Sequence, residues 1–243
     1  EHRDGTFAEY VSLPARNVFA MPDSLGFAEA AALGVNHLTA WRMLFTKAQL
    51  KPWETVLIFG VGGGVSLAAL QLAKRAGARC IVTSRDADKL QRALALGADH
   101  VIQTPAQDVA KTALALTGGR GVDVVIENVG EAVWASAMKS LVRGGRLVTC
   151  GATTGDHPGA DLRRLFIRQL QVLGSTLGDL SEFADLLASC ARQPLQPVID
   201  SRFTLDQVHA GQGLAGGDAR GDLGEGQAGG LGDEGHGPRG AGV

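Results

Sequence analysis

From Glu54 to Ile199 this chain alternates short β-rich apolar runs with helical ones, and that alternation limits its possible folds more than any other feature. Strands are predicted at "TVLIFG" (55–60), "RCIVTS" (79–84), "HVIQ" (100–103), "VDVVIEN" (122–128), "RLVTCG" (146–151) and "LQVLGST" (170–176). Helical patterns are predicted between and after them, at about Val65–Ala76, Ala87–Leu96, Asp108–Leu116, Ala132–Leu141, Ala160–Ile167 and Ser181–Ala191. The central strands are apolar at consecutive positions, not at every second one, as suits strands covered on both faces. Helical crossovers between such strands imply a parallel sheet. The expected fold class is α/β, a doubly wound parallel six-stranded Rossmann sheet.

The first strand-to-helix turn lies in "ETVLIFGVGGGVSLAALQLAKRAGA", Glu54 to Ala78, with four glycines in five positions. A literal G-x-G-x-x-G does not fit. Counting from Gly60 puts Val65 in the third slot, and counting from Gly62 puts Leu67 there. A phosphate-binding turn nevertheless needs only exposed amides at a helix N-terminus, a tight turn and a small residue where helix meets strand. Gly60, Gly62, Gly63 and Gly64, followed by Val65, supply the first two, and Ser66 the third.

A formal charge of -2 with scattered Lys and Arg leaves no electrostatic footprint for nucleic acid. Cys80, Cys150 and Cys190 are widely spaced and mostly within apolar runs, so they read as buried thiols in a reducing compartment. No apolar run reaches the length of a membrane span, and "EHRDGTFAEY" has no signal-peptide pattern. A cytoplasmic fragment without a membrane partner is the expectation. Residues 1–20 alternate as antiparallel strands would. "SLGFAEAAAL", with Ser24 as candidate N-cap, and "LTAWRMLFTKAQL" suggest two helices separated by Gly34–His37. After His209 the chain turns glycine-rich without apolar periodicity, which predicts disorder over 211–243.

"GVGGGVSLAALQLAKRAGA", "LGADHVI", "GVDVVIENVG" and "GGRLVTCGATTG", in this order and spacing, resemble the cofactor domain of the medium-chain dehydrogenase/reductase superfamily. The resemblance covers about residues 4–209 and is greatest to quinone oxidoreductase-like and zinc-type alcohol dehydrogenase-like members. It implies a remnant of a GroES-like catalytic domain at 1–35, a Rossmann NAD(P)-binding domain at 36–200, and the start of a returning catalytic-domain segment at 201–210. It also implies that Asn128, Val129 and Gly130, and Cys150, Gly151, Ala152 and Thr153, line the nicotinamide and its ribose. Thr39 matches a threonine that contacts nicotinamide in the superfamily. Zinc-dependent relatives carry a ligating cysteine where this chain has Val35, so zinc is not expected here, and His37 reads better as a polar contact than as a ligand.

Cofactor choice is read where the second strand ends. An NAD site places an acidic residue there. Here "VTSRDADK" offers Ser84 and Arg85, with Lys89 one turn on, which suits a 2′-phosphate and predicts NADPH. Asp86 keeps NADH as the alternative. The expected activity is hydride transfer to a quinone or an α,β-unsaturated carbonyl without zinc, with Asn36 and Thr39 as candidate catalytic residues. Two alternatives stay open: a zinc-dependent alcohol dehydrogenase whose ligands lie in a missing N-terminal part, and an inert NADP(H)-binding module. The small-molecule partner would be a carbonyl, quinone or alcohol. A homodimer paired along "LQVLGST" is expected.

Overall fold

A computed structural model describes residues 6–209 of the chain, and the glycine-rich stretch 211–243 lies outside them. The chain divides into two units, one spanning Tyr10–Asp200 and one made of its two ends. Among the described residues of the second unit, Leu205–Gln207 form a 3-10 turn capped by Thr204 and Gln207. Residues 6–20 contain no strand and only the 3-10 turn Ala15–Asn17. The expected antiparallel strands are missing there because a strand needs a neighbour to take its amides, and the described sheet offers none to this segment.

From Phe27 to Lys47 the backbone stays helical. α1 (Phe27–Ala32) and α2 (Leu38–Trp41) are joined by a π-helical turn, Leu33–His37, and a second π turn, Arg42–Lys47, follows. The break expected at Gly34–His37 is therefore an underwound turn. Its cause is legible in hindsight: Leu33, Leu38 and Met43 recur every five residues, and all three are buried. Five-residue spacing stays on one face only where the helix widens to i→i+5 bonding. Ser24 does not cap α1, whose N-cap is Gly26; its hydroxyl instead donates to Cys190 O at 3.1 Å.

The sheet contains β1 (Thr55–Ile58), β2 (Arg79–Ser84), β3 (His100–Gln103), β4 (Val122–Glu127), β5 (Leu141–Thr149) and β6 (Gln171–Gly174). Its order is β3-β2-β1-β4-β5-β6, and every neighbouring pair is parallel. β5 begins at Leu141 rather than Arg146, with a register shift opposite Val122/Val124 that lets "VRGG" bulge. The remaining helices are α3 (Gly64–Arg75), α4 (Ala87–Ala95), α5 (Val109–Leu116), α6 (Glu131–Ser140), α7 (Leu162–Ile167) and α8 (Leu180–Arg192).

Two apolar clusters explain why the strands read as continuous apolar runs. Val56, Ile58, Cys80, Val82, Val124 and Ile126 join one cluster with residues of α3, α4 and α8. Leu57, Phe59, Ile81, Val125 and Leu147 join the other with residues of α5 and α6. Successive side chains of a strand point to opposite faces, so both must be apolar when both faces are covered. The sheet winds outward in both directions from β1 and β4, which leaves a crevice beyond their carboxyl ends, the general ligand position in such sheets.

Candidate functional site

Between β1 and α3 the chain turns through Gly60 (φ +64°) and Gly62 (φ +139°), conformations that residues with a Cβ rarely adopt. The turn is held from β2: Gly60 N donates to Thr83 Oγ1 at 3.2 Å and Val61 N to Thr83 O at 2.8 Å. Ser66 is buried and donates to Phe59 O at 2.8 Å, closing α3 onto the end of β1. The N-cap of α3 is Gly63, in extended conformation and without a side-chain acceptor. The first α3 backbone bond runs from Leu67 N to Gly63 O at 3.0 Å.

Neighbouring helices behave otherwise. Asp86, Asp108, Asp161 and Asp179 cap α4, α5, α7 and α8, each carboxylate accepting first-turn amides. α6 also starts on a glycine, Gly130, but its amides find acceptors: Glu131 N donates to Gly155 O at 3.1 Å and Ala132 N to Thr154 Oγ1 at 3.0 Å. Among the described helices of eight or more residues, α3 is the one whose N-terminus is left to solvent or ligand. Aligned amides and helix dipole make such an end an anion site.

At the end of β2, Ser84 Oγ accepts the Asp86 amide at 3.1 Å, a bond that uses the oxygen and not its O–H. Asp86 Oδ1 accepts from Asp88 N at 2.8 Å and Lys89 N at 3.1 Å. The Lys89 amide foremost, and charges nearby, hold the Asp86 carboxyl below its ordinary range. Arg85 is exposed at this edge. The Lys89 stem crosses Gly62, where a Cβ would fall 2.7 Å from Lys89 Cδ. Glycine turn, Ser84, Arg85 and Lys89 therefore share one rim of the crevice.

The loops after β4 and β5 form the other rim and are zipped together. Thr153 Oγ1 donates to Asn128 O at 3.1 Å, and Thr154 N and Oγ1 both reach Val129 O at 2.8 Å. A Cβ on Gly151 would fall 2.9 Å from Asn128 O, and one on Gly130 would fall 3.0 Å from Ala152 Cα, so both positions exclude side chains. A Cβ on Gly60 would fall 3.4 Å from Val129 Cγ2, which places the two rims in near contact. Asn128, Val129, Gly130, Gly151, Ala152 and Thr153 are thus brought together. Cys150 is half-buried beside them, its thiol pushed up to about 11 by burial and by Glu127, so it is neutral at ordinary pH.

Asn36 and Thr39 separate in role. The π turn directs the Asn36 carboxamide against Gly64, where any Cβ would collide with it. Thr39 is buried and donates to Val35 O at 2.7 Å. His37 is buried too, with Nε2 3.1 Å from Gln71 Oε1 and Nδ1 3.4 Å from Ala32 O. Asn36, His37, Gly64 and Gln71 line a small cavity of about 40 Å³ at the start of α3. The residue that sequence reasoning missed is Glu127, fully buried at the end of β4. Its signal was there to find: a carboxylate directly after the apolar run Val124–Ile126, at the carboxyl end of a strand covered on both faces.

Residues 64–192 match the family model described as zinc-binding dehydrogenase. The chain belongs to that family, within the medium-chain dehydrogenase/reductase superfamily. A zinc-type alcohol dehydrogenase-like protein of Schizosaccharomyces pombe is 37% identical over 215 residues, 85% of this chain and 61% of that protein. A quinone oxidoreductase of Salmonella typhimurium is 34% identical over 158 residues, 65% of this chain and 48% of its own length. A solved NAD-dependent alcohol dehydrogenase superposes with TM-score 0.84 at 39% identity, covering 90% of this chain and 64% of the other. A 2-octenoyl-CoA carboxylase reductase solved with NADP and 2-octenoyl-CoA superposes at 0.76 with 26% identity, covering 84% and 50%. The chain therefore spans about half to two thirds of the length of these relatives.

A nicotinamide dinucleotide fits the crevice of this dehydrogenase-family chain, on the ground of the open α3 terminus and the side-chain-free loops. Zinc does not fit the described residues. The Val35 side chain has no donor atom, both His37 nitrogens face protein partners, and no three His, Cys, Asp or Glu side chains converge among the described residues. No described helix is long and apolar enough to cross a membrane.

Proposed function

We propose that this chain is the nucleotide-binding part of an NADPH-dependent oxidoreductase that reduces a quinone or another α,β-unsaturated carbonyl without zinc. The observation that carries the reading is the uncapped α3 terminus beneath Gly60–Gly64, beside a rim of Ser84, Arg85 and Lys89. The first-turn amides would take the diphosphate, with the Asn36 carboxamide at its edge. Ser84, Arg85 and Lys89 would take the 2′-phosphate. Asp86 already accepts two amides of α4, which favours NADPH over NADH at this rim. Asn128–Gly130 and Cys150–Thr153 would hold the nicotinamide flat through backbone groups, with Thr39 at its side.

The bound cofactor supplies the hydride. The chain's own work is orientation and exclusion of water, which account for most of what such a transfer requires. A second reading is a module that binds NADP(H) without turnover. The exposed Val172 on β6, one of the two edge strands of the sheet, suits pairing with a second copy, so we place a homodimer there. Three free thiols, two of them buried, suit the cytoplasm.

Titrating NADPH and NADH by fluorescence, then assaying a quinone, an enal and an alcohol with and without zinc, tests all of these. NADPH binding with quinone or enal turnover supports the proposal. Binding without turnover selects the module, zinc-dependent alcohol oxidation selects the zinc enzyme, and tighter NADH binding reverses the cofactor assignment. Sedimentation as a monomer would remove the dimer.

A further inference from the structure

Glu127 is the one fully buried carboxylate among the described residues. It ends β4 beneath the double loop. Oε1 accepts from Val129 N and, at 2.5 Å, from Gly130 N, while Oε2 accepts from Thr149 Oγ1 at 3.0 Å. Cys150 N donates to Glu127 O at 3.2 Å. One residue thus fastens the first turn of the β4–α6 loop to the last residue of β5. Burial pushes its carboxyl above the usual range, while the amide and hydroxyl donors pull it down. Leucine or valine at this position would leave the half-buried Val129 amide and the buried Gly130 amide without this acceptor, a loss that an apolar side chain does not offset.

The place of this clasp in the sheet gives it a functional direction. In a doubly wound sheet the two mononucleotide halves sit on either side of the switch point between β1 and β4. The glycine turn, Ser84 and Lys89 serve the β1–β3 half, and Glu127 touches none of them. Every group it binds belongs to the β4–β5 half. We propose that Glu127 is a positioning residue for the nicotinamide half of the cofactor: its carboxylate sets the backbone of Val129 and Gly130 at the height at which they and Gly151 form a flat floor. The proposal rests on the dinucleotide reading above.

The test compares two ligands on the full chain, NADPH and 2′,5′-ADP, which has the adenosine half alone. Glu127→Ala is expected to weaken NADPH about tenfold, the scale of one lost buried hydrogen-bonding group, and to leave 2′,5′-ADP within about twofold. Glu127→Gln, which keeps an acceptor for both amides, is expected to restore most of the NADPH affinity. Thr149 can then turn its hydroxyl to Gly151 O, 3.3 Å away. If Glu127→Ala gives no cooperative melt, Thr149→Val carries the comparison, with a smaller split of about threefold in the same direction. Equal losses for both ligands in a folded variant, or unchanged NADPH affinity, would overturn the assignment and leave Glu127 a general stabiliser. Wild-type protein that binds neither ligand would overturn the dinucleotide reading itself, an outcome distinct from loss of the split.

Discussion

Helices α3 and α6 leave the same end of the sheet, on the two sides of its switch point, and both start on a glycine without a side-chain cap. One is closed and the other open. The amides of α6 are taken by Gly155 and Thr154, from a loop 22 residues or more further along the chain. Those of α3 meet no such loop. A glycine before a helix therefore does not by itself make an anion site: it permits one, and the neighbouring backbone either fills it or leaves it vacant for a ligand. The capping aspartates of α4, α5, α7 and α8 sharpen the contrast, since α3 has neither such a carboxylate nor a loop across its first amides.

The strongest way to break this contrast is to give α3 the cap that the others have. Gly63 is extended, and a Cβ there would come no nearer than 3.7 Å to Gly60 O, so Gly63→Asp fits. The new carboxylate should stabilise the fold by about 1 kcal/mol and weaken NADPH by about a hundredfold, since it would occupy the amides and repel the diphosphate. Melting and titration read the two effects. A variant that is stabilised but still binds NADPH as before would show that α3 is not the diphosphate site.

Next in size is the cofactor rim. Lys89→Ala and Arg85→Ala should each weaken NADPH by about tenfold while changing NADH little, because of the two cofactors NADPH alone carries the 2′-phosphate that these side chains would meet. Parallel titrations check this, and equal losses for both cofactors would move the two cations off the 2′-phosphate. On the closed helix, Thr154→Ala removes the acceptor for Ala132 N and should cost about 1 kcal/mol of stability with no effect on 2′,5′-ADP binding. A loss of 2′,5′-ADP affinity there would mean that the two rims are coupled.

The smallest effect is in acid. The Asp86 carboxyl is held below its unfolded range, so its stabilisation of α4 is fully present above the ordinary carboxylate pKa and fades as pH falls through the lowered folded value. Asp123 behaves alike. Burial opposes its ionisation, but the Arg120 guanidinium and the Thr55 amide outweigh that and hold it low. Asp86→Asn should flatten part of the acid limb of a melting profile, whereas α3, having no cap carboxylate, contributes nothing to it. Gly63→Asp should add a dependence of the same sign.

Much of this was legible in the residues. The six strands, the crossovers and the glycine turn follow from apolar runs that only a doubly covered sheet can bury. Ser66 was placed correctly because small size at a strand–helix contact is a local requirement, and its bond to Phe59 O meets it. The continuous helix through Gly34–His37 was missed because a glycine and two polar residues look like a break, while the five-residue spacing of Leu33, Leu38 and Met43 does not look like a helix. Glu127 was missed because its partners, two amides and Thr149, carry no sequence mark of their own.

The sequence by itself determined the parallel sheet, the glycine turn after β1 and the placing of serine, arginine and lysine at and beyond the end of β2. These depend on periodicity, on glycine's access to positive φ and on side-chain charge, all of which are local. Tertiary structure alone decided which of two glycine-started helices stays open, where Asn36 points and what a buried carboxylate fastens. Those outcomes depend on which distant backbone and side-chain atoms come within hydrogen-bond reach of an unpaired amide, and no residue states that about itself.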